Sequence, residues 1–204
     1  MRTILLPIFT LLFCLSHSSI ASAQQYYNVD LDILGYSPKT KNVYVFESKV
    51  HSNSEQHIYA HNLKDKELKQ PLGNAKYLEI HDAKHFSQTL MTLKKELKKL
   101  QPLDFNTLKI DVLAQNSSQH DDTAQFSTIY TTQFMISTEK FQTTPQNLIH
   151  YSTDIKLKQA YLLPDNKGII ATFSSLAYPF DSGFYREESV LLIPKTTFKT
   201  VVLK

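Results

Sequence analysis

Residues 29–48, VDLDILGYSPKTKNVYVFES, decide the fold. Val29, Leu31 and Ile33 alternate with Asp30 and Asp32, the period of a strand with one face buried and one wet. Gly35-Tyr36-Ser37-Pro38-Lys39-Thr40-Lys41 reads as a turn. Residues 42–48, NVYVFES, are β-branched and aromatic throughout, which predicts a strand buried on both faces.

The same grammar runs outward from there. Residues 56–63 predict a third strand and 77–80 a short one, with turns at Lys64-Asp65-Lys66 and around Pro71 and Gly73. One helix interrupts the strands. Phe86, Leu90, Leu93, Leu97 and Leu100 recur at intervals of four and three, a single apolar stripe. Asp82 is its expected N-cap and Pro102 its end. Strands return at 108–113, 126–137, 149–163, 168–174, 189–193 and 198–203, with polar loops at 115–123 and 142–146. The expectation is an α+β chain of one domain over 24–204. It is mostly antiparallel β, in meander and blade-like hairpins, with one central amphipathic helix.

The first 23 residues carry a different message. Arg2 gives a positive start and residues 4–15 an apolar run of signal-peptide length. Ala21-Ser22-Ala23 then offers a small-x-small cleavage site before Gln24. The run is too short to span a bilayer. Phe13 precedes Cys14 where a lipoprotein signal needs a small residue. Export and cleavage after Ala23 are therefore expected. The mature chain of about 180 residues is long enough for a core of its own.

Composition narrows the chemistry. Without the leader, 21 basic and 19 acidic residues remain, a net charge of +2. Such a balance gives no whole-molecule field for nucleic acid. Cys14, the one cysteine, leaves with the leader, so no disulfide, thiolate nucleophile or sulfur ligand remains. Arg186 is the one mature arginine, and arginine is the preferred fork for phosphate. The scattered glycines assemble neither a phosphate loop nor a G-x-S-x-G elbow.

Two segments share a pattern. Tyr36-Ser-Pro-Lys-Thr-Lys-Asn-Val-Tyr-Val-Phe-Glu-Ser48, a polar gap and Ile58-Tyr-Ala-His-Asn-Leu63 resemble a blade hairpin of the periplasmic Tol-type β-propellers. Leu163-Pro-Asp-Asn-Lys-Gly-Ile-Ile-Ala-Thr-Phe-Ser174, followed by Ser189-Val-Leu-Leu-Ile-Pro194, repeats it loosely. Lys39-Thr40 stands where that pattern has Asp-Gly. Two copies cannot close a propeller, which needs about four blades. The layout, with Tyr178-Pro-Phe-Asp-Ser-Gly-Phe-Tyr-Arg186, is also similar to a family of predicted secreted bacterial proteins of unknown function. That resemblance implies periplasmic location and β-rich fold, and no chemistry.

Candidate site residues follow from spacing. Phe180, Phe184, Tyr185 and Arg186 surround Gly183 in an expected loop, and exposed aromatics with arginine are what interface anchors look like, although rings tucked into the core of a hairpin connection are the slightly preferred reading. His81 and His85 are candidate metal ligands, since one helical face holds both if the helix starts early enough. Residues capping a helix account for them as well. His57 and His61 share a strand face about 13 Å apart, too far for one ion. His120-Asp121-Asp122 falls in an expected polar loop. Lys94, Lys95, Lys98 and Lys99 crowd one side of the helix. Such a face can lie on anionic lipid, but a core-packed helix with solvated lysines is the preferred reading. No nucleophile is marked, although His150 and Asp154 stand close in sequence. Asp30 and Asp32 read as a wet face, and Glu187 and Glu188 beside Arg186 as a surface ion pair. No cofactor is implied. The expected function is binding without catalysis, to a protein partner in the envelope, as an accessory or scaffold factor. Metal binding and an unrecognised hydrolase are the alternatives.

Overall fold

The computed structural model describes residues 28–49, 56–63, 76–77, 83–122, 125–178 and 184–195. Strands β1 (Val29–Ser37), β2 (Asn42–Lys49), β3 (Gln56–Asn62) and β4 (Lys76–Tyr77) form an antiparallel meander. A second meander is made by β10 (Ile155–Leu162), β11 (Ile169–Tyr178) and β12 (Phe184–Pro194), with β5 (Gln101–Pro102) on its edge. The two expected hairpins are thus β2/β3 and β11/β12. They join in one mixed sheet of order β4-β3-β2-β1-β12-β11-β10-β5, through a parallel pairing of Val29 with Arg186. A third group contains β6 (Lys109–Asp122), β7 (Gln125–Ser137), β8 (Phe141–Gln142) and β9 (Gln146–His150).

Side-chain parity stacks these groups in layers. Ile169, Ala171, Phe173, Val190 and Leu192 face Phe134, Ile136 and Leu148. The Phe134 and Phe173 rings meet edge to face, 5.2 Å apart, and burying each is worth about 2–3 kcal/mol. The intervening residues Ile170 and Leu191 face Leu31, Val43, Val45 and Tyr59. The sheet therefore curls, and β1–β3 lie over the face of β10–β12. On the far side of β2 and β3, Tyr44, Ile58 and Ala60 take the helix stripe of Phe86, Leu90, Leu93 and Leu97. Val43, Tyr44 and Val45 are all buried, as the NVYVFES reading expects, because β2 has a layer on each side.

Helix α1 (Ala83–Glu96) is shorter than its apolar stripe predicts. It stops because Lys98 pairs instead with Tyr36, through two backbone hydrogen bonds of 2.9 Å. Gly35 makes this possible. It sits at a bulge in β1 with φ of 138°, and a Cβ there would stand 2.6 Å from the Lys98 carbonyl oxygen. Leu100 then joins the inner core rather than the helix stripe. Lys94, Lys95, Lys98 and Lys99 are exposed, as a core-packed helix requires. Asp82, the expected cap, lies outside the described residues.

Other boundaries also differ from the sequence expectation. Residues 115–122 continue β6 instead of forming a loop, because cross-strand pairs such as Gln115–Thr132 hold them. The predicted strand 149–163 is two strands, β9 and β10, separated by residues 151–154. Phe184, Tyr185 and Arg186 belong to β12, because their backbone pairs with β11. The corner at Pro164-Asp165-Asn166-Lys167 turns with positive φ at Asp165 and Asn166, a conformation these side chains tolerate.

Candidate functional site

Between the curled layers lies a polar seam. Gln159, Thr172 and Ser189 are neighbours across β10, β11 and β12. Tyr59 and His61 reach Ser189 from β3. The His61 Nε2 to Ser189 Oγ distance is 2.8 Å and the Tyr59 Oη to Ser189 Oγ distance is 3.0 Å. Burial pushes the His61 pKa down to about 4, so the imidazole is neutral near pH 7. Ser189 Oγ is thus within hydrogen-bond reach of both the Tyr59 hydroxyl and His61 Nε2. Thr172 Oγ1, opposite Ser189, is buried with no hydrogen-bond partner among the described residues.

The seam continues to Glu187. Its Oε2 accepts the Leu31 backbone N–H at 3.0 Å, and its Oε1 lies 3.6 Å from Lys158 Nζ. Gln159 Nε2 donates to the Leu31 carbonyl at 2.8 Å. Glu187 is buried, and Glu188, whose side chain is 14% exposed, lies 3.6 Å from the exposed Arg186 guanidinium, so neither carboxylate stands in the expected surface pair. The reason is register, which turns Glu187 inward with Ser189 and Leu191. Burial raises the Glu187 pKa against the lowering effects of Leu31 and Lys158, and burial likewise raises that of Glu188.

A second buried network links β6, β7 and β9. Gln115 Nε2 donates to Thr132 Oγ1 at 2.9 Å, and Thr132 Oγ1 lies 2.8 Å from His150 Nε2. Burial lowers its pKa, with the Ser152 backbone working in the opposite direction. His150 belongs to this network and not to a site with Asp154, which is exposed.

An open cleft of about 770 Å3 lies where the third strand group meets β10 and β11. Its apolar side is Leu103, Phe141, Leu162 and Ile169. The short 3-10 turn Phe105–Thr107 borders it, held by Asp104 Oδ1, which accepts the Asn106 N–H at 3.0 Å. The 138–140 turn borders it too, with Thr138 Oγ1 accepting the Phe141 N–H at 3.0 Å. Lys109, Lys140 and Lys195 converge there from three different segments. Among the described residues none of the three forms an ion pair. Of the two carboxylates, Asp111 accepts from Ser137 Oγ at 2.9 Å, and Glu139 lies on the exposed turn. Cations without partners beside an apolar wall suit a ligand that is anionic and partly apolar.

The sequence candidates are dispersed. Tyr185 is 44% exposed and the Arg186 side chain 60%, while Phe184 is half-buried. The Tyr185 N–H donates to Asn28 Oδ1 at 2.8 Å, which ties this strand end to β1. Phe180 and His81 lie outside the described residues, and His85 falls in the first turn of α1. Among the described residues no group of three or more His, Cys, Asp or Glu could hold a metal ion, and no helix is long and apolar enough to cross a membrane. Sequence reasoning missed the cleft lysines, since single lysines at strand ends carry no pattern. It also missed Ser189 and His61, which lie 128 residues apart. No family model, curated protein or solved structure matches this chain.

Proposed function

We propose that this chain is an exported, periplasmic protein of the cell envelope that acts by binding, as an accessory or scaffold factor, and not by catalysis. The cleft carries this reading. Lys109, Lys140 and Lys195 face one space with an apolar wall beside them. An acidic, partly apolar segment of a protein partner would bring carboxylates to the lysines and side chains to Leu103, Phe141 and Ile169. Tyr185 and Arg186 are a second contact point of anchor type. The leader-like first 23 residues support export.

A titration with an acidic amphipathic peptide of alternating Glu and Leu tests the cleft, read by amide chemical shifts. Shifts are expected at residues 103–111, 137–141 and 195, and the Lys140→Glu, Lys195→Glu double variant should abolish them. Shifts confined to other residues would remove the cleft from the proposal. Export is tested by N-terminal sequencing of the chain recovered from envelope extracts, where Gln24 is the expected first residue.

A hydrolase has one observation in its favour, the 2.8 Å contact between Ser189 and His61. An imidazole with a pKa of about 4 is a weak general base at neutral pH. None of Ser189, His61 and Tyr59 lines the cleft.

A further inference from the structure

Two basic segments far apart in the chain meet on one surface. The first is the turn Ser37-Pro38-Lys39-Thr40-Lys41, closed by the Lys41 N–H donating to the Ser37 carbonyl at 2.8 Å. The second is the end of α1 and the residues that follow it, with Lys94, Lys95, Lys98 and Lys99. Tyr36 and Lys98 exchange two backbone hydrogen bonds in an antiparallel bridge. Antiparallel pairing sets the residues after Tyr36 beside those before Lys98, so the turn lies against the end of the helix.

Six lysines are thereby gathered, and Glu96 is the one carboxylate in either segment. Their combined charge exceeds the +3 of the whole chain, so the rest of the sequence is net negative and the field is one-sided. Lys39, Lys94, Lys95, Lys98 and Lys99 are exposed and Lys41 is half-buried. Among the described residues none of the six is in an ion pair. Lys94 and Lys95 complement the helix dipole. That role accounts neither for Lys98 and Lys99, which lie past the helix end, nor for the two lysines of the turn.

Composition selects the partner. Every cation of the patch is lysine, which is depleted from protein interfaces, where arginine and aromatic anchors are enriched. Geometric recognition of single phosphates also favours the arginine fork. A compact ammonium on a flexible stem meets a smeared negative surface without needing a fixed geometry. The apolar stripe of α1 is covered by β2 and β3, so the helix has no buried face to give to hydrocarbon. Met91, 62% exposed, stands one turn before Lys95 on the outward side.

We propose that this lysine patch docks the protein on an anionic phospholipid surface, by charge, with α1 lying outside the hydrocarbon and Met91 reaching the headgroups. This inference is independent of the cleft.

The test is co-sedimentation of the purified chain with vesicles of equal parts phosphatidylcholine and phosphatidylglycerol, against phosphatidylcholine alone. Binding to the mixed vesicles is expected at low salt and should be lost at high salt. Apolar residues 4–15, where a preparation retains them, would bind both vesicles alike, so the difference between the two is the readout. Lys39→Gln alone should weaken the binding about fivefold, and Lys95→Gln as much. Lys39→Glu with Lys95→Glu and Lys99→Glu should abolish it at an unchanged thermal midpoint. Lys109→Glu with Lys140→Glu and Lys195→Glu, three equal reversals in the cleft, should leave most of it. Equal loss in the two triple variants would reduce the effect to net charge and overturn the proposal, as would no binding to the mixed vesicles. Capture of an acidic peptide by the patch, with vesicles left unbound, would assign it to a protein partner instead.

Discussion

Ser189 of β12 and His61 of β3 meet at 2.8 Å, although β1 and β2 lie between their strands in the sheet. A flat sheet would keep them about 14 Å apart, from about 4.8 Å per strand step. Their contact therefore measures the curl. It exists because β1 joins β12 through one residue pair and then turns its buried face onto β10–β12. The hydroxyl of Ser189 bridges the layers at a place where hydrophobic contact gives way to polar groups.

Removing that bridge should cost more than its size suggests. Ser189→Ala leaves both the His61 ring and the Tyr59 hydroxyl without their shared partner. The expected loss is about 1–3 kcal/mol, read from urea unfolding. A loss below a few tenths would show that water replaces the hydroxyl at no cost.

Acidification should act through the two imidazoles. His61 has a folded pKa of about 4 against 6.5 for the free group, and that of His150 is lowered as well. Between these values the unfolded chain binds the proton and the folded chain does not. The His61 contribution to stability is whole above about pH 6.5 and is lost as the pH falls towards 4, and His150 acts in the same direction. For His61 the loss is on the order of 3 kcal/mol. Glu187 and Glu188 have raised pKa values and act in the opposite direction, adding stability as they protonate. The decisive quantity is therefore a difference between variants. His61→Gln should flatten the pH 4–6.5 slope of the wild type, measured as urea midpoints. An unchanged slope would place the titration elsewhere.

Glu187 separates charge from hydrogen bonding. Burial disfavours its carboxylate, while its Oε2 satisfies the Leu31 N–H. Glu187→Gln keeps an acceptor and drops the charge, so stability at pH 7 should hold or rise. Glu187→Ala strands a buried N–H and should lose about 2 kcal/mol. Equal losses for both variants would mean that the Lys158 pairing, and not the backbone bond, is what matters.

Gly35→Ala should be among the costliest single-methyl changes in this chain. The new Cβ would press on the Lys98 carbonyl at a φ that L residues rarely adopt. A loss of about 2 kcal/mol or more is expected. The exchange protection of the Tyr36 and Lys98 amides should fall with it, since their mutual hydrogen bonds need the same close approach.

Much of the fold was legible in local sequence. The Val29-Asp30-Leu31-Asp32 alternation, the apolar run of β2, the corner at Pro164-Asp165-Asn166 and the helix stripe each report a period or a turn chemistry, which a short window contains. The polar residues 115–122 misled because their strand state comes from β7 and not from their own propensity. The helix end misled because Leu97 and Leu100 both continue the apolar spacing, while a backbone pair with Tyr36 decides where the chain leaves.

By itself the sequence determined the β-rich class, the two hairpins and a helix with a buried stripe. These depend on residues a few positions apart. Only the tertiary structure decided that the two meanders share one curled sheet, that Ser189 meets His61 and Tyr59, that Glu187 is inside while Glu188 pairs with Arg186, and that Lys109, Lys140 and Lys195 surround one cleft. Each joins residues far apart in the chain. The curl of the sheet, not any local pattern, sets their distances.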